Sequence, residues 1–146
     1  MRYHFRLQPL LEKERIHEGE FIRGLKVLKG IFQEEEDKIE RLKKQRNDCQ
    51  QKLSEQQQNR FEVLELRRYE DYFVKLENDE KECLGLLGEI KGKIEIVQTE
   101  LTKIMKRRKA LEKLKEKGER EYLSNLQVSV NKEMDDIAIM NYTKRR

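Results

Sequence analysis

Tryptophan is absent, proline occurs once and cysteine twice in a chain of 146 residues that is only 36% hydrophobic but 42% charged. So little apolar material cannot enclose a broad globular core, yet Leu, Ile, Val and Phe recur too regularly for a disordered chain. An extended helical protein satisfies both limits. No segment approaches the ~20 apolar residues of a membrane span. Residues 1–11 carry neither a long apolar core nor a small-residue cleavage site, so the chain is expected to be soluble and not secreted by a cleavable signal. The net charge of +4, from 33 basic and 29 acidic residues, favours anionic partners only where the basic residues cluster.

The constellations that support chemistry are also missing. Cys49 and Cys83 lack metal-ligand spacing and sit inside an apolar pattern, as reduced packing residues of a cytosolic protein do. His4 and His17 are too far apart in helical phase to form a metal or catalytic site. No phosphate-cradling glycine loop, Ser-His-Asp set or pocket of paired carboxylates can be drawn. The expectation is a non-enzyme without cofactor or metal. Nucleic-acid binding is not expected either, because glutamates interleave the basic tract of Lys113, Lys115 and Lys117 and no aromatics stack between them.

What is present is periodicity. Phe73, Leu76, Cys83, Leu87, Ile90, Ile94, Val97, Leu101, Ile104 and Leu111 follow alternating spacings of three and four, a heptad seam sustained over about five repeats. Such a narrow stripe cannot bury itself and requires a partner helix. A second seam upstream, Leu7, Leu11, Phe21, Leu25, Leu28, Phe32, Ile39, Leu42, Cys49 and Leu53, is interrupted by Glu14, Glu18, Glu35 and Arg46. Pro9 lies where a first helical turn accepts it, since its missing N–H has no intrahelical acceptor there.

Between the seams, Ser54 to Leu64 breaks register. Gln56, Gln57, Gln58 and Asn59 form a polar interval, and Ser54 or Asn59 can hydrogen-bond the backbone locally. The reading is an all-α protein, a long antiparallel two-helix coiled-coil hairpin in one domain over 1–146. Helix 1 is placed at about 5–56, the turn at about 57–63 and helix 2 at about 64–140. One continuous helix and a reversal at Asn78-Asp79 are the rivals. A reversal near residue 60 makes partner numbers sum to about 120 along two antiparallel helices. Cys49 then lies near Asp71 and Cys83 near Asp37, whereas a turn at Leu66 would set the two sulfurs face to face.

The same arithmetic leaves the C-terminal helix extending beyond its partner after about Lys117. That extension stays patterned, through Leu123, Leu126, Val130, Ile137 and Met140. It is either a frayed amphipathic tail or a stripe that enters a partner protein. Phe61, Val63, Leu64, Leu66, Tyr69, Tyr72 and Phe73 put more apolar surface near the turn than two helices bury. They form a local cap or a second binding patch. Gly85, Gly88 and Gly92 fall opposite the seam, each costing a helix interior about 1 kcal/mol relative to Ala. The runs Glu34 to Asp37 and Lys106 to Lys109 read as solvated faces, the second able to meet charges of the first helix.

Three stretches carry a family resemblance. They are Phe5-Arg6-Leu7-Gln8-Pro9-Leu10-Leu11-Glu12, then Arg107 to Lys117 with Glu121-Tyr122, then Lys132-Glu133-Met134-Asp135-Asp136-Ile137-Ala138 with Tyr142. In order and length over the whole chain they resemble the flagellar FliJ family; Arg108 to Lys117 and the Asp-Asp-Ile-Ala cluster are not required by heptads.

The resemblance implies a cytoplasmic component of the flagellar type III export apparatus, peripheral at the cytoplasmic face of the inner membrane and associated with it through partners only. Such a coil is similar to the stalk of rotary ATPases. The end carrying both termini would enter the pore of the hexameric export ATPase (FliI), and the coil would reach the export gate protein (FlhA). On this chain the expected ring contacts are Leu123, Leu126, Ile137 and Met140, with Arg107 and Arg108 as accessory charges. Leu42, Tyr69, Tyr72 and Leu76 are the expected gate contacts. The alternatives are an export chaperone or escort for secretion substrates or their chaperones, and a self-associating structural coiled coil.

Overall fold

The computed structural model describes residues 2–58 and 62–145. Two helices account for nearly all of them, α1 (Gln8–Gln58) and α2 (Val63–Lys144), with no strand among the described residues. Two long helices packed against each other form an all-α helical hairpin. The Leu7 carbonyl accepts the first bond of α1, from the Leu11 N–H at 3.0 Å, which leaves Pro9 in the first turn where no donor is needed. α2 begins with the Glu62 carbonyl accepting from Glu65 and Leu66, and it runs uninterrupted through Asn78 and Asp79. Its ends suit the helix dipole, with Glu65 in the first turn and Lys144 in the last. Asn59 and Phe61, assigned above to the reversal and its aromatic cover, lie outside the described residues.

The helices pass through two compact units, Met1–Gly19 with Thr102–Arg146 and Glu20–Leu101. In the second unit Ile39, Cys49, Leu76 and Cys83 are buried, and the other seam residues of both helices are half-buried. The seam's charged positions answer one another. Arg46 donates to Glu80 at 2.7 Å, and Glu80 is the one buried charged side chain among the described residues. Glu80 occupies a position that the apolar seam of α2 skips.

The register agrees with a reversal near residue 60. Cys49 Sγ donates to the Tyr69 carbonyl at 3.5 Å, while Cys83 lies beside Glu35 and Lys38. The two thiols are free and have separate neighbours. Burial pushes both upward from the ordinary thiol value; Lys52 opposes the shift at Cys49 and Lys38 opposes it at Cys83.

In the first unit the core is Phe5, Leu11 and Leu111, with Tyr3 packed against it. Leu7 is not a seam residue, being 38% exposed. α1 begins only at Gln8, so the segment before it folds Phe5 inward, beside Leu11, and turns Leu7 out.

Candidate interaction surfaces at the end of the longer helix and beside its first turns

The first unit holds the uncovered end of α2, and its base is built by charges and by the segment before α1. Arg108 sits at a seam position of α2. Its Nε meets Glu18 and its Nη1 donates to Glu112 at 2.9 Å, while Glu112 also accepts from Arg15 at 3.3 Å. Arg107 pairs with Glu14 at 3.5 Å. Two of the glutamates that interrupt the α1 seam therefore meet arginines of α2. Hydrogen bonds that Arg108 donates to Glu112 and then to Glu18 raise its guanidinium above its ordinary value, and the same bond to Glu112 holds that carboxyl below its own.

Arg107 and Arg108, expected as accessory ring charges, thus have partners within the chain. Arg108 is also largely covered, with its side chain 20% exposed, whereas that of Arg107 remains 58% exposed. The acidic run Glu34 to Asp37 belongs to the other unit and is not what they meet.

Beyond the ion pairs, Gly118 occupies the next seam position and receives Tyr3. A Cβ at Gly118 would fall on the Tyr3 hydroxyl and 2.9 Å from its Cζ. The Tyr3 ring also meets that of Tyr122, with centroids 5.8 Å apart and planes tilted by 45°. Cover for α2 therefore reaches Tyr122, past the Lys117 limit expected from helix pairing alone, because residues before α1 supply it. Tyr3 and Gly118 went unread in the sequence. The only signal was a glycine standing at a seam position.

From Leu123 onward every described residue of α2 is exposed. Leu123, Leu126, Val130, Met134, Ile137 and Met140 are 40–64% exposed and recur at three and four along one face, shifted in phase from the seam that meets α1. From Leu123 to Lys144 this free stretch is about 33 Å long. Four of the six are the expected ring residues, and Met134 joins them.

The expected gate residues divide. Leu76 is 4% exposed and Leu42 half-buried, because both face the helix seam; with the helices paired, Leu76 is not available to another protein. Tyr72 is 44% exposed and Tyr69 half-buried. The two tyrosines stand between shallow grooves, one of about 310 Å³ with Glu65 and Arg68, the other of about 200 Å³ with Gln45, Asp48, Cys49 and Lys52. Among the described residues no His, Cys, Asp or Glu cluster could hold a metal, and no helix is long and apolar enough to cross a membrane.

A heptad-paired helical hairpin with a free, apolar-striped helix end is the class that fold and surface define. Residues 3–146 match the family model described as flagellar FliJ protein, and the chain belongs to the FliJ family. It is accordingly a component of flagellar protein export. No curated protein and no solved structure matches it.

Proposed function

We propose that this chain is a non-catalytic, stalk-like subunit whose free α2 end enters the ring of the export ATPase, with Tyr69 and Tyr72 meeting the membrane export gate. The observation that carries the reading is the apolar stripe Leu123, Leu126, Val130, Met134, Ile137 and Met140, exposed over the last turns of α2. An unpaired apolar stripe of that length favours association, and its helical spacing suits an apolar groove or pore. A single asymmetric helix touches the subunits of a ring unequally. Unequal contact is what coupling requires, because a ligand that binds all states alike shifts none of them.

In this reading the chain binds no nucleotide and works at the cytoplasmic face of the membrane. Leu123, Leu126, Ile137 and Met140 make the ring contact. Arg107 borders it from its pair with Glu14, while Arg108 acts only by holding the two helices together at the base of the free end. The gate contact narrows to Tyr69 and Tyr72, since Leu76 is enclosed and Leu42 half-covered.

The test is export-ATPase turnover with the full chain and with a chain ending at Tyr122, which keeps the Tyr3 contact. Stimulation by the full chain and none by the shortened one is expected. Equal stimulation by both would overturn the assignment.

A further inference from the structure

A second surface lies on the same stretch of α2, facing away from the seam. Lys106, Lys109, Lys113, Lys117 and Arg120 recur at spacings of three and four, and all five are exposed. The seam positions of this stretch are Ile104, Arg108, Leu111, Lys115 and Gly118, which are buried or half-buried, so the five cations share the opposite side. None of them is ion-paired among the described residues, in contrast to Arg107 and Arg108. In the linear sequence glutamates interleave this tract; on the helix they separate from it. Glu112 turns to Arg15 and Arg108, Glu119 falls on the seam side, and only Glu116 and Glu121 border the stripe.

We propose that this stripe is a docking surface for an anionic membrane leaflet, which the chain contacts directly as well as through protein partners. From Lys106 to Arg120 it extends about 21 Å in a straight line, more than twice the ~8 Å screening length at physiological ionic strength. A plane of anionic headgroups meets all five charges at once. A nucleic-acid duplex curves away from a straight helix, and no aromatic side chain stands among the cations to stack on bases. Four of the five are lysines, point charges on flexible stems that suit a diffuse anionic surface better than the bidentate recognition of particular carboxylates.

The apolar stripe from Leu123 to Met140 lies further along α2 and is turned by roughly a third of a turn from the basic face, so the two surfaces can be altered separately. The inference does not depend on what the apolar stripe enters.

The experiment is flotation of the purified full chain with vesicles of phosphatidylglycerol and phosphatidylethanolamine, and separately with phosphatidylcholine alone. Comparison chains carry Lys109→Gln, Lys113→Gln and Lys117→Gln together, or Ile137→Ser. Glutamine keeps helix propensity close to that of lysine, so the triple variant should retain its circular dichroism spectrum. Wild type and Ile137→Ser are expected to float with the anionic vesicles only, and to be released as salt is raised. At about fivefold in affinity for each cation near an anionic leaflet, the triple variant should bind about 100-fold more weakly.

Absence of binding to the anionic vesicles would overturn the proposal. So would undiminished binding by the folded triple variant, loss of binding in Ile137→Ser, equal binding to phosphatidylcholine, or tighter binding to duplex DNA at the same salt concentration.

Discussion

Arg46 and Glu80 occupy positions where a heptad would ordinarily carry leucines. Each breaks the apolar pattern of its own helix, and the two meet across the seam at 2.7 Å, with Glu80 9% and Arg46 31% exposed. A pair enclosed in this way adds little net stability but penalises registers that would leave either charge alone. Glu80→Ala, which strands the arginine, should lower the free energy of unfolding by about 1–2 kcal/mol, below the fully buried range because Arg46 keeps contact with water. Urea denaturation measures this. Replacing both, Arg46→Met with Glu80→Leu, should restore or exceed wild-type stability; if the double variant is as weak as the single one, the pair contributes through something other than its charges. Half of this arrangement was legible beforehand. Arg46 stood out as a polar interruption in the first seam, whereas Glu80 looked like an ordinary gap in the second, because only the pairing shows that the gap is occupied.

At the scale of the element, α2 carries glycines of two opposite kinds. A Cβ at Gly85 or Gly88 would meet nothing within 4 Å, so alanine there should stabilise the helix by about 1 kcal/mol per site, read from the thermal or urea midpoint. Gly118 differs because the Tyr3 ring lies where its Cβ would be. Gly118→Ala should raise helix propensity yet displace Tyr3 from Tyr122 and loosen residues 2–7. Hydrogen exchange should then show faster exchange at the Gln8 amide, which donates to the Phe5 carbonyl at 3.1 Å, with little change in mid-helix amides. Unchanged protection there would mean that Tyr3 is not what holds the segment. Helix periodicity, the place of Pro9 and the outward phase of Gly85 and Gly88 follow from local spacing and were readable as such. The folded-back segment before α1 was not, since it has no period and its partners Leu111, Gly118 and Tyr122 lie more than a hundred residues away.

At the scale of the folded chain, Glu112 accepts from Arg108 on its own helix and from Arg15 on α1, and these bonds set the sign of its pH dependence. Its folded value lies below the ordinary 4.5, chiefly through the bond from Arg108 and secondarily through Arg15. A carboxyl depressed on folding contributes stability that is fully present above its unfolded value and is lost as pH falls through the folded one. The Glu112 contribution should therefore be fully present from neutrality to about pH 5 and fade below the ordinary carboxylate range. Glu112→Gln should lessen that decline in urea titrations between pH 7 and 3. An unaltered acid profile would show that the pair is too solvated to matter.

The sequence by itself determined two helices, the faces they pair through and a free apolar end, because a 3.6-residue period acts over neighbouring turns and marks a face wherever it persists. Family membership was legible at the same level, from the residues that heptads do not require. Tertiary structure alone decided which charges meet, where cover of α2 ends and which cations remain free. Those outcomes are set between residues far apart in the chain. Glu18 captures Arg108 and Tyr3 occupies the space over Gly118, whereas Lys109, Lys113 and Lys117 stay exposed with no ion pair among the described residues.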